Sequence, residues 1–221
     1  MLAVHATLKK RHRATRDDMP EGLNLRIHRA LSWIKRAAVC EPDPDARFIF
    51  LWIAFNAAYA QEIPSAQRLS EQFSFQQFLH KLHQLDTSKQ LDHLVWEKFS
   101  GPIRVLLDNP YVFESFWDYH RGLLTEAQWQ ERFANGKQRA LILLAKGNTP
   151  ELLSLVLQRI YTLRNQLIHG GATWNSKVNR AQVQDCAHLM GKLVPVIVDI
   201  MMSHPMAVWG EACYPVINES R

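Results

Sequence analysis

The chain has 221 residues, 47% of them hydrophobic and 10% aromatic, with nine glycines. That is enough apolar material for one sizeable core and too little glycine for a strand-and-turn protein. Its formal charge of +5 is local rather than global, because residues 1 to 36 hold nine Lys or Arg against three Asp or Glu and the remainder sums to −1. The three cysteines, Cys40, Cys186 and Cys213, are far apart and odd in number, which excludes a disulfide framework and zinc-type pairs and favours a reducing, cytoplasmic compartment.

The basic residues Lys9, Lys10, Arg11, Arg13 and Arg16 read as an N-terminal arm over residues 1 to 20. Such an arm can follow a nucleic-acid backbone by neutralising phosphates, and its alternative is a solvated, disordered terminus. No long apolar run follows it, which argues against a secretory signal, while the acid-poor residues 1 to 16 leave an organelle presequence open. Leu23, Ile27, Leu31 and Ile34 then place a helix over 23 to 39. The run Glu41-Pro42-Asp43-Pro44-Asp45 breaks it and caps the next.

Phe48 to Phe55 is continuously apolar and is ended by Asn56, Gln61 and Glu62, far short of a bilayer span, so it reads as a buried helix and no membrane partner is expected. Asn56 is expected at a core position with a hydrogen-bond partner, either on a neighbouring helix or in support of a functional site. Further helices are expected near 69 to 86, 88 to 108, 110 to 121, 125 to 146 and 178 to 203, the last kinked by Pro195. His80, His83 and Asp86 share one helix face, but Leu79, Leu82 and Leu85 beside them make a polar flank of an amphipathic helix simpler than a metal site. Phe113, Phe116, Trp117 and Trp129 are core aromatics before they are a base-stacking platform. Phosphate-binding glycine loops and a nucleophile-elbow serine are absent.

The most informative helix runs from Thr149, taken as its N-cap, through Pro150 and Glu151 to the stop at Gly170-Gly171. Leu153, Val156, Ile160, Leu163 and Leu167 make its apolar seam. Near its end stand Arg164, Asn165 and His169, a guanidinium that can hold two phosphate oxygens, an orienting amide and a near-neutral imidazole. Cations at a helix C-terminus can also be plain dipole caps. Asn165 and His169 lie four apart on one face, whereas Arg164 sits on the flank of the seam. A shared site therefore needs the Arg side chain to wrap round, the last turn to distort, or a second copy of the helix to supply the missing group.

The segment Arg-Asn-Gln-Leu-Ile-His resembles the Arg-polar-x-x-x-His signature of the HEPN superfamily. Leu163 to Trp174 and Phe48 to Tyr59 are similar to two segments of its bacterial, ApeA-like branch, in the same order. The resemblance implies an all-α HEPN-like bundle, here with additional helices inserted in the middle of the chain over roughly 62 to 148, filling a single domain over 21 to 221. It implies a homodimer whose Arg-x-x-x-x-His helices face one another across a composite site, with Arg164, Asn165 and His169 catalytic and Asn56 in support. It also implies metal-independent cleavage of RNA with no cofactor, a toxin or antiviral role, and an antitoxin or regulatory protein among the partners. Other members are non-catalytic modules that bind RNA, nucleotide or protein.

Overall fold

A computed structural model describes residues 1–60, 71–177 and 179–214. Among them the regular secondary structure is helical throughout, so the chain is all-α. The helices are α1 (Leu2–Thr15), α2 (Glu21–Val39), α3 (Pro44–Tyr59), α4 (Glu71–Leu85), α5 (Gln90–Asp92), α6 (Ser100–Leu107), α7 (Glu114–His120), α8 (Glu126–Lys146), α9 (Thr149–Ile168) and α10 (Arg180–Ser203). They group into two compact units, residues 1–70 with 190–221 and residues 71–189.

In the first unit α2 packs on α3 and α1 on α2. Ile27, Ala30, Leu31, Ile34 and Ala37 on α2, and Phe48, Leu51, Trp52, Ala54, Phe55 and Ala58 on α3, are buried; the alanines between large side chains let two backbones approach closely. Asp43 caps α3 by accepting from the Ala46 amide at 3.1 Å, with Pro44 in the first turn. The N-terminal basic segment is no free arm: α1 is a helix whose Leu8 and His12 are buried, and that apolar contact is what orders it.

Arg26 is 1% exposed and holds this unit together. Its guanidinium donates to the carbonyls of Ala58 and Tyr59, which the end of α3 leaves without helical partners, and to those of Trp209 and Gly210 in the segment after α10. Arg29, one turn on, donates to the Cys213 and Tyr214 carbonyls, both at 2.6 Å. Burial lowers the Arg26 pKa to about 10, against the opposing influence of Cys213 and Glu211, so it stays charged at neutral pH. A buried cation without a carboxylate partner is tolerated here because carbonyl dipoles surround it.

In the second unit α9 is central, packed against α4, α6, α8 and the 3-10 turn Pro110–Val112. Its first turns are buried on all sides, from Thr149 through Leu157 apart from Glu151, and then at Arg159, Ile160 and Leu163. Asn148, not Thr149, is its N-cap, accepting from the Glu151 amide at 3.2 Å. That frees Thr149 for tertiary work. Its hydroxyl donates to Asp92 at 2.5 Å and accepts from the Trp96 indole at 2.8 Å, while His83 meets the same Asp92 oxygen at 3.0 Å. Burial works against the Asp92 carboxylate, but the bonds from Thr149 and His83 and the charges of His83 and Lys89 outweigh it and hold its pKa below the ordinary value.

The expected helix over 88 to 108 is broken into α5, a π-helical stretch His93–Lys98 and α6. That over 110 to 121 is a 3-10 turn followed by α7. Thr125 and Gln128 form a reciprocal capping box at the start of α8. Pro195 lies inside α10. By length and composition α10 could cross a membrane, but 72% of its most apolar window is buried within the protein, so its hydrophobicity belongs to the interior.

Two substitutions test these anchors. Arg26→Met leaves four carbonyls without donors and should cost about 3 kcal/mol or more in denaturant unfolding. Thr149→Val should cost about 1–3 kcal/mol. Because the folded Asp92 pKa is depressed, its contribution is present above the unfolded carboxylate pKa and is lost as pH falls through the folded value. The stability gap between Asp92→Asn and the parent protein should therefore shrink on acidification below about pH 4.

Candidate active site at the end of α9

Where α9 leaves the core, its polar residues reach the surface. Leu163 is buried, Leu167 only half-buried, and Ile168 and His169 are exposed. The expected apolar seam therefore fades over the last turn. Tyr161, Arg164 and Asn165 are half-buried; at about 100° per residue Tyr161, Asn165, Ile168 and His169 share one side of the helix, and Arg164 lies at its edge toward the apolar seam.

The helix stops by geometry that both glycines supply. His169 is the C-cap, Gly170 has φ +71, the Gly170 amide donates to the Leu167 carbonyl at 3.3 Å and the Gly171 amide to the Gln166 carbonyl at 2.7 Å. This is a Schellman closure. Gly170 is needed for its left-handed backbone, and Gly171 for space, since a Cβ there would stand 3.0 Å from the Gln166 carbonyl oxygen. Gln166 anchors the turn further, donating to the Tyr111 carbonyl at 2.6 Å and accepting from Asn179 at 3.4 Å.

Arg164 is held on its own helix. Its guanidinium lies 5.8 Å from the Tyr161 ring centroid, and Nη1 donates to Asn165 Oδ1 at 2.8 Å. Asn165 and His169 are four residues apart on one face, so this bond draws the guanidinium round from the seam flank toward the His169 side. Arg164 and His169 are still not hydrogen-bonded to one another among the described residues, and the buried Arg164 Nε–H has no acceptor. The arrangement presents an imidazole to solvent on the same helix end as a half-buried guanidinium, groups suited to an anionic, phosphate-bearing ligand.

Asn56 departs from expectation. It lies on α3 in the other unit and is half-buried rather than buried, because the buried side of that helix is taken by Trp52, Phe55 and Ala58. Of the basic residues, Lys10, Arg13 and Arg16 are exposed and Lys9 half-buried. Arg11 pairs with Asp199 at 2.5 Å and donates to the Ser203 hydroxyl at 2.9 Å. His83 is turned to Asp92, and Asp86 accepts from the Leu91 amide at 2.7 Å. No group of three metal-ligating side chains is assembled among the described residues. Phe113, Phe116, Trp117, Trp129 and Phe133 pack edge-to-face or tilted on one another, with Arg159 stacked 4.1 Å over Phe113.

Sequence reasoning did not single out Tyr161 or Gln166. The three-residue spacing of Tyr161 and Arg164 was the available signal for the first; Gln166 acts through a carbonyl distant in sequence and left none. Compared with protein-family models, curated proteins and solved structures, the chain matches none.

Because Gly170 carries a left-handed backbone, Gly170→Ala should lower stability by about 1 kcal/mol, and Gly171→Ala by a similar or larger amount through the Gln166 contact. His169→Ala, exposed at the cap, should change stability by less than about 0.5 kcal/mol. Thermal denaturation of the three variants checks the ordering.

Proposed function

We propose that the chain is a HEPN-type, metal-independent endoribonuclease that works as a homodimer, with the ends of two α9 helices forming a composite site. The observation that carries this reading is the α9 end, on which the half-buried Arg164 guanidinium is held by Asn165 and His169 is open to solvent. The HEPN-like Arg164-Asn165-x-x-x-His169 pattern supplies the reaction class. His169 takes the proton from the RNA 2′-hydroxyl as that oxygen attacks the adjacent phosphorus. Arg164 of the facing protomer stabilises the charge on the phosphorane-like oxygens, Asn165 orients the guanidinium, and the departing 5′-oxygen takes a proton from water. The products are a 2′,3′-cyclic phosphate and a 5′-hydroxyl. An intracellular toxin or defence role, with an antitoxin or regulatory partner, follows from the same resemblance.

A second reading rests on a separate observation. Ile168 is 46% and Trp174 74% exposed beside the same helix end, an apolar surface that also fits a non-catalytic HEPN-like module engaging RNA, nucleotide or protein there.

Cleavage assays separate the two. The enzyme cuts RNA in excess chelator, leaves DNA of the same sequence intact, and is stopped by one 2′-deoxy substitution at the scissile position. His169→Ala and Arg164→Ala should each reduce the rate by about two to four orders of magnitude while the protein stays folded. Full cleavage by both variants, or cleavage that requires a divalent metal, contradicts the reading. Binding of RNA without cleavage by the parent protein assigns the module instead.

A further inference from the structure

Outside the α9 end, positive charge converges most densely on the hairpin of α1 and α2. His5, Lys9, His12 and Arg16 recur at spacings of four, three and four, which puts them within about 60° of one another along α1 and its exit. Opposite them on α2 stand Asn24, His28 and Lys35. Lys9 Nζ lies 3.4 Å from His28 Nδ1, His12 Nε2 lies 2.8 Å from Asn24 Oδ1, and the His12 and His28 rings are 6.2 Å apart. These pairings order the two helices antiparallel, so the cations and imidazoles form a row about 16 Å long from His5 to Arg16.

The acids around this row are few. Asp17, beside Asp18 in the turn Arg16–Asp18, reaches Arg16 at 3.5 Å, and Glu21 opens α2. Asp199 and Ser203 of α10 face Arg11 on another side of α1. Among the described residues no carboxylate is in ion-pair range of His5, Lys9, His12, His28 or Lys35. Burial is the main cause that lowers the pKa of His5, Lys9, His12 and His28, and mutual repulsion adds to it: Lys35 and Lys9 act on His5, Arg13 and Arg16 on Lys9, Lys9, His28 and Arg16 on His12, and Lys9 and Arg16 on His28. In His12 the Asn24 bond opposes the shift.

We propose that the α1–α2 seam of His5, Lys9, Arg16, His28 and Lys35, ordered by the bond between buried His12 and Asn24, is a binding site for the sugar-phosphate backbone of a single-stranded nucleic acid. The row is too long for one phosphate and suits a chain of them. Imidazoles between cations provide flat faces for bases as well as charge for phosphates. The exposed large apolar side chains of α1, Leu2 and Val4, precede His5, and from His5 to Arg16 the stripe carries none to insert into lipid. An anionic backbone adds an attraction that works against the burial and repulsion lowering the His5 and His28 pKa values, so binding takes up protons and tightens as pH falls. The site stands apart from the cleavage reading, since DNA without a 2′-hydroxyl is a ligand for it and not a substrate for that chemistry.

The test is fluorescence anisotropy with labelled oligodeoxythymidine about 15 nucleotides long, titrated against salt. Affinity should rise about tenfold from about pH 7.5 to about pH 5.5 at fixed ionic strength. Lys9→Gln with Lys35→Gln should weaken binding about tenfold and lower the salt slope by about 1.4, whereas Arg132→Gln on exposed α8 changes neither. His5→Gln with His28→Gln should flatten the pH dependence while binding near pH 7.5 stays within about twofold. Should the lysine pair lose its circular-dichroism signal, the histidine pair decides alone. Binding that ignores pH in the parent protein, lysine variants that match Arg132→Gln, a pH dependence that survives the histidine substitutions, or sedimentation with phosphatidylglycerol vesicles without oligonucleotide binding each overturns the assignment.

Discussion

The geometry of the candidate site depends on where and how α9 stops. Left-handed Gly170 and the close approach of Gly171 to the Gln166 carbonyl end the helix one residue after Ile168. That brings His169 out at the cap instead of carrying it back over the core on a further turn. The other end is fixed as firmly, by the Asn148 cap and the Thr149 bonds to Asp92 and Trp96. Between them the helix is buried on all sides and then on one side only, so its last two turns are the first place where its polar residues can meet a ligand. A central helix with both ends specified is a rigid platform, which is what proton transfer to a positioned group requires.

The all-α class and most helix positions were legible because they depend on local signals. Apolar spacing and proline-acid breaks placed α2 and α3, the helix expected near 125 to 146 matches α8, and Gly170-Gly171 marked the end of α9. Tertiary competition explains the misses. Asn148 and Thr149 are both good caps, and the choice fell to Asn148 because Thr149 has buried partners distant in sequence. The stretch over 88 to 108 has helical periodicity throughout, but it passes through a left-handed Lys89 and a π-helical stretch before Phe99 breaks it. Asn56 was misplaced because an apolar run hides which side of a helix faces inward.

Charge was the least legible property, since a sequence shows how many cations there are and not what holds them. Arg26 and Arg29 are occupied by backbone carbonyls, Arg11 by Asp199, and Arg159 stacks on Phe113. Those arginines maintain the fold. Arg16, His28 and Lys35 remain on the surface of their hairpin, with His5 and Lys9 half-buried beside them, and Arg164 is half-buried at the end of its helix. The same partition applies to histidine. His83 is engaged by Asp92, whereas His169 sits at an exposed helix cap. Function is assigned to the groups that the fold does not consume.

The central claim is that Arg164 of one protomer and His169 of another act together, and complementation measures it directly. Arg164→Ala and His169→Ala proteins, each inactive alone, are mixed, dissociated and reassociated, and RNA cleavage is followed in chelator. Half of the dimers then pair unlike subunits, and each of these holds one complete composite site out of two, so activity should return to about a quarter of the parent value. No recovery in a mixture shown to exchange subunits, while the parent protein cleaves, places the whole site within a single chain and contradicts the account.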